Sequence, residues 1–295
     1  MSESTLPLRP LTSGELMDAA VLLLRSRGWR LIALGTAAAL AEQLVLFPLR
    51  RAADVDNNYL PGDGLWPAFW LMVAVGFGTE AFLIALLGRP AAAAAPRALV
   101  GAAAPRGLGR GRGAAVVAAA LPVTLIGTGC WLLAAATARA EASEFRGLTL
   151  LALLAVMPLW AIGYGLLGLT TPAVVIDRLG PGRAVLRSLR LSTRGGLRVM
   201  WLRLLGYLAW FFIRLALGFA VVALIELVRV APSTTWDEVF MAVAWLTVNA
   251  VAYPVLGCLD VALHVDMRMR TEGLDISLRR AVRRGVATDA ALAVP

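Results

Sequence analysis

The chain has 295 residues, of which 59% are hydrophobic and only 16% charged, whereas about a quarter of a soluble domain of this size is charged. Its net charge of +9 comes from 28 basic residues, every one an arginine. These punctuate apolar segments instead of lining a groove interleaved with aromatic side chains, which argues against nucleic acid as a partner. The apolar residues gather in separate blocks of about 20 or more, the length that crosses a bilayer at about 1.5 Å per residue, so lipid is the expected solvent.

Along the chain, residues 1–28 read as a cytoplasmic N-terminus with an interfacial helix. Thr12 followed by Glu15, with Leu11 before and Leu16 after, is the pattern of a capping box with a hydrophobic staple. A signal peptide is not expected, because the first eight residues hold no arginine and the apolar stretch Ala19 to Leu24 is short and ends at Arg25. Six spans follow within residues 29–265: Trp29 to Pro48, Leu65 to Gly88, Ala114 to Thr137, Leu148 to Ile176, Leu197 to Val228 and Val239 to Val265. The fourth and fifth exceed about 25 residues, so each must tilt, kink or run past the interface. Residues 266–295 read as a basic cytoplasmic tail. The expected fold is therefore an all-α integral membrane domain.

Arginine near span ends is retained on the cytoplasmic side. Arg9, Arg25, Arg27 and Arg30 flank the start of the first span, and Arg89, Arg97, Arg106, Arg110 and Arg112 separate the second from the third. Six more, from Arg178 to Arg198, separate the fourth from the fifth, and six follow the last. The remaining loops hold only Arg50, Arg51, Arg139, Arg146 and Arg229, diluted by acidic residues. Both termini are thus expected in the cytoplasm. The exclusive use of arginine, with abundant Ala, Gly and Leu, looks like the coding bias of a high-GC bacterium, so the expected location is a bacterial cytoplasmic membrane.

The segments ending at Gly28, Gly113 and Gly196 share one make-up: apolar residues mixed with arginine, then glycine, then a span. Their spacing suggests an internal repeat, with three copies of an interfacial helix plus a two-span hairpin over 11–89, 92–178 and 182–268. Aligning Arg89, Arg178 and Arg268 places Glu80, Thr170 and Asp260 at nearly one depth, each preceded by a glycine: Gly78, Gly168 and Gly257. These three polar residues are expected to converge on one cavity open to the cytoplasm.

Three stretches resemble the bacterial glycerophosphoryl diester phosphodiesterase membrane-domain family. They are Arg9-Pro10-Leu11 through Gly14-Glu15-Leu16-Met17-Asp18; Pro172-Ala173-Val174-Val175 with Gly182-Arg183-Ala184 and Arg187-Ser188; and Asp266-Met267-Arg268 with Glu272-Gly273-Leu274-Asp275. The resemblance implies a multi-span membrane module, which some relatives fuse to a soluble phosphodiesterase. The 295 residues match the module alone, so phosphodiesterase activity is not expected from the resemblance.

No matched set of acid, base and nucleophile stands out. There is no metal-protease His pair, no Gly-flanked serine elbow and, without lysine, no phosphate-binding loop. No cofactor or metal is expected. Gly163, Gly165 and Gly168 match a dinucleotide fingerprint, but they lie inside an apolar helix, where small residues serve close packing. His264, beside Asp266, reads as a polar tip at the headgroup level, and Cys130 and Cys258 as two separate thiols.

Ionisable residues inside spans are costly and so carry information, at roughly 2.5 to 3.5 kcal/mol for a central charge. Counting rise per residue puts Glu42 at about 18 Å and Arg214 at about 24 Å from the cytoplasmic end, a depth match that predicts an ion pair. Glu80 and Asp260, near about 12 Å, are shallower, and Arg203 is expected to reach the headgroups. Arg183, Arg187, Arg190 and Arg194 recur at three and four residues and form one charged helix face, suited to anionic headgroups or a protein partner. The expected function is a non-enzymatic scaffold or accessory subunit. The alternatives are a transporter or permeation protein using the buried carboxyls and, third, a membrane-embedded lipid hydrolase.

Overall fold

The computed structural model describes residues 7–55, 60–101, 110–140, 147–228 and 234–284. These residues form helices α1 (Ser13–Arg27), α2 (Trp29–Ala52), α3 (Trp66–Ala92), α4 (Ala95–Val100), α5 (Arg110–Ala140), α6 (Gly147–Leu167), α7 (Thr170–Val175), α8 (Pro181–Arg194), α9 (Arg198–Val228), α10 (Thr234–Glu272) and α11 (Leu274–Arg283). Six are long and apolar enough to cross a membrane: Trp29–Ala52, Trp66–Ala92, Arg112–Arg139, Thr149–Val175 (spanning α6 and α7), Arg198–Leu224 and Glu238–Glu272. A shorter helix precedes each pair of long ones: α1, α4 and α8. The second of these has only six residues, and the remainder of its expected segment, 102–109, lies outside the described residues.

The start of α1 follows from local chemistry. Thr12 Oγ1 accepts from the Glu15 N–H, and the Glu15 carboxylate accepts from the Thr12 N–H, satisfying two donors that a helix start leaves open. Leu11 and Leu16 are both buried.

Two departures from the expected boundaries bear on the site. The last span does not stop at Val265, because α10 continues to Glu272 and turns the first residues of the supposed tail into helix; residues 285–295 of that tail lie outside the described residues. The fourth span breaks between Leu167 and Thr170. Pro172 and Gly168 favour a break here: Pro172 lacks the N–H that would bond the Gly168 carbonyl and its ring crowds it, and glycine is a weak helix former. The break frees the Leu166 carbonyl and the Leu169 N–H, and α8 catches both. Ser188 Oγ donates to Leu166 O at 2.7 Å and accepts from Leu169 N at 3.1 Å, while Ser192 Oγ adds a bond to Leu166 O at 3.2 Å.

Helix α10 is the hub, packed on α1, α2, α3 and α9, and α3 lies along α5. Small residues let these backbones approach. A Cβ on Gly257 would stand 2.9 Å from the Gly88 nitrogen, and one on Gly35 would stand 2.3 Å from the Ala250 carbonyl. Between α3, α5, α6 and α9 runs an aromatic column of Trp70, Trp131, Phe77, Trp160, Tyr164 and Tyr207, with successive centroids 4.6 to 5.8 Å apart. It ends where the buried charges begin.

Candidate functional site

Three groups of charge lie at different levels of the bundle. The innermost surrounds Glu42 and Glu80. Glu80 receives Arg214 at 2.7 Å and the Tyr207 hydroxyl at 2.8 Å. Glu42 is held by neutral groups: Tyr253 Oη donates at 2.5 Å and Asn249 Nδ2 at 3.0 Å, and Thr79 Oγ1 lies at 3.3 Å. The Arg214 guanidinium also faces the rings of Tyr207 and Trp245, at 5.5 and 5.7 Å, an arrangement favoured by the ring quadrupole.

The second group is Arg203 with Asp260. The guanidinium spans both carboxylate oxygens, at 2.6 and 3.2 Å, donates to the Tyr164 carbonyl, and lies 3.7 Å from the Tyr164 ring centroid. It fits because residue 168 has no side chain: a Cβ there would sit 2.2 Å from Arg203 Nε. Arg203 is only 2% exposed, so a delocalised cation is fully sequestered with a bidentate partner.

The third group closes the end of the bundle at which α1, α8 and α11 gather, the basic end. Asp177, in the turn after α7, accepts from Arg268 at 2.7 Å and Arg187 at 3.0 Å and touches His264 Nε2 at 3.1 Å. Glu272 binds the same two arginines. Burial alone would push the Asp177 carboxyl up, but His264, Arg268 and Arg187 outweigh it and hold it down at about 2. Beside this network Asp266 fastens the N-terminal segment, accepting from the Leu11 N–H at 2.8 Å and from Arg270 at 2.9 Å, while Arg198 and Arg270 donate to the Leu11 carbonyl.

Helix α8 has three faces. Ala184, Ser188, Leu191 and Ser192 are buried against the bundle; Arg183, Arg190 and Arg194 are exposed; Leu186, 54% exposed, lies on the remaining apolar side. Arg187 does not join the exposed set as the spacing suggested, because Asp177 and Glu272 engage it.

The expected pair of Glu42 with Arg214 does not form, since Arg214 goes to Glu80. Depth counted along an axis neglects that side chains lean toward their helix N-terminus. α9 begins at the basic end and α3 finishes there, so Arg214 reaches toward that end and Glu80 away from it, and they meet. Nor do Glu80, Thr170 and Asp260 join. Thr170 Oγ1 donates to Leu167 O in its own turn, and the two carboxylates hold separate guanidiniums with the Tyr164 and Tyr207 rings between. The common cavity is replaced by two closed pairs. Arg203 does not reach headgroups, and His264 is fully enclosed against Asp177 instead of lying at the surface. Both cysteines are buried and free, and among the described residues no group of three His, Cys, Asp or Glu is placed to hold a metal.

Sequence reasoning missed Tyr164, Tyr207, Asn249, Tyr253 and Asp177. One signal was available. On α10, Asn249, Tyr253, Asp260, His264, Arg268 and Glu272 are separated by four or seven residues, which places them on one side of a helix.

The class is thereby defined: an all-α multi-pass membrane protein whose interior carries paired charges. No protein-family model, characterised protein or solved structure matches the chain.

Proposed function

We propose that this protein is a non-enzymatic scaffold or accessory subunit of a bacterial cytoplasmic membrane. In this reading both termini are cytoplasmic and the basic helices at that face hold anionic lipid headgroups. The observation that carries it is the division of labour among the arginines. Arg203, Arg214, Arg187 and Arg268 are committed to carboxylates inside the protein, whereas Arg183, Arg190 and Arg194 line an exposed edge of α8 beside the exposed Leu186. A helix with its apolar side in the acyl region and its cationic edge at the phosphates sits in the membrane interface. The order of one short and two long helices, three times over, supports the internal repeat. At the basic end the first and third family-like stretches are tied through Leu11 with Asp266, and the second and third through Asp177, which binds both Arg187 and Arg268. This supports kinship with the membrane module of that family.

Extraction in mild detergent, followed by identification of bound lipids and proteins, tests this reading. Anionic lipid should be retained by the native chain and reduced several-fold when Arg183, Arg190 and Arg194 are all changed to Gln, and a stoichiometric protein partner would identify the assembly. Protein that purifies alone and drives ion flux in liposomes would replace this reading with a second one, a transporter. One observation favours that alternative: among the described residues Glu42 has no cation at ion-pair distance.

A further inference from the structure

We propose that Glu42 is a proton-binding site: in the folded protein its carboxyl is a neutral acid, enclosed between α2, α3 and α10. The inference concerns the interior of the bundle and stands independently of the lipid-binding rim.

Two features of the geometry carry it. Glu42 meets Thr79 of α3, the residue next to Glu80, and Tyr253 and Asn249 of α10, so its nearest charged neighbours are Glu80 and the Arg214 that Glu80 holds. Arg214 is committed to Glu80 at 2.7 Å. An ionised Glu42, itself 3% exposed and midway along a span, would be a second negative charge beside a single guanidinium, with only neutral partners at hydrogen-bond distance among the described residues. A proton removes that charge.

The second feature is the count of hydrogens around Glu42. Oε2 is served twice, by Tyr253 Oη and Asn249 Nδ2. Among the described residues Oε1 has one hydrogen-bond partner, Thr79 Oγ1 at 3.3 Å. The Thr79 hydroxyl has one hydrogen, and two backbone carbonyls lie closer to it, Val75 O at 2.9 Å and Gly76 O at 3.0 Å. With that hydrogen given to the helix, the Oε1 contact becomes favourable when Glu42 supplies the proton and Thr79 Oγ1 accepts it. A metal ion fits less well. Tyr253 Oη and Glu42 Oε2 are 2.5 Å apart, the separation of oxygens that share a hydrogen and too short for two ligands around a cation.

The test is infrared spectroscopy of the full chain in lipid bilayers. The native protein should show the carbonyl stretch of a protonated carboxyl group, moved to lower frequency in D2O and lost in Glu42→Gln. Because Gln has the shape of the neutral acid, Glu42→Gln should also melt close to the native temperature, whereas Glu80→Gln, which strands Arg214, should melt much lower. No protonated-carboxyl band in the native chain, or a band that persists in Glu42→Gln, overturns the proposal. So does a Glu42→Gln chain that fails to fold or melts as low as Glu80→Gln, and so does a band abolished by sodium at constant pH, which would make the site one for a metal cation.

Discussion

Arg203 and Arg214 lie three helical turns apart on α9, and each is fixed by a carboxylate and by an aromatic face. A buried pair contributes little net stability against a well-packed apolar pair, but removing one partner strands the other charge, at about 3–5 kcal/mol. Glu80→Gln and Asp260→Asn are therefore expected to lower thermal stability in detergent strongly. Combining Glu80→Leu with Arg214→Leu should recover much of the loss, and the coupling from that cycle should exceed the one between Glu42 and Arg214. Equal couplings would mean that the three residues act as one charge cluster. Gly168 gives a steric version of the same test. Gly168→Ala drives a methyl into the space of Arg203 and should separate it from Asp260, while Gly129→Ala, with nothing within 4 Å of the added carbon, should be neutral or stabilising by up to about 1 kcal/mol through helix propensity. Equal melting temperatures for the two variants would show that Arg203 can move aside without loss.

Among the elements, α8 has two attachments. Its serines satisfy the backbone that Pro172 and Gly168 leave open, and its Arg187 joins α10 through Asp177 and Glu272. The basic periodicity of α8 was legible in the sequence; the loss of Arg187 to an internal network was not, because Asp177 lies ten residues earlier in a turn whose direction depends on the break after α6. The same holds for Arg203, whose burial depends on the missing side chain at Gly168, in the break between α6 and α7. Ser188→Ala removes the partner of a buried N–H and should cost about 1–3 kcal/mol. A change within error would mean that water takes the place of the hydroxyl. Asp177 adds a pH dependence. Its carboxyl is held at about 2 in the folded protein, below the roughly 3.9 of an unfolded chain, so its contribution to stability is present above about pH 4 and is lost as the pH falls toward 2. Melting temperatures measured across that window should drop in the native protein. In Asp177→Asn they should be lower at neutral pH and should lack that part of the acid-dependent drop.

At the scale of the whole molecule, the six spans were legible because each is a run of apolar residues set off by arginine or turn residues, a signal that requires no knowledge of neighbours. Which spans touch was not, since Glu42, Glu80 and Asp260 select partners by helix tilt and side-chain lean, which a one-dimensional depth count omits. The proposed orientation rests on a third kind of signal, the arginine bias, and it predicts a definite outcome. Asp63 is exposed in the turn between α2 and α3, while Arg190 and Arg280 are exposed on α8 and α11 at the opposite end. Both native cysteines are buried, Cys130 at 7% and Cys258 at 0% exposed, so background reaction with a membrane-impermeant thiol reagent should be low. Asp63→Cys is therefore expected to label from outside intact cells, whereas Arg190→Cys and Arg280→Cys should label only after the membrane is opened. The arginine substitutions each remove one positive charge from a face that carries many, so they should leave the retention signal intact. Labelling of Arg190→Cys and Arg280→Cys in intact cells, with Asp63→Cys protected, would invert the topology and place the basic helices on the outer face, where they would no longer meet the anionic cytoplasmic leaflet.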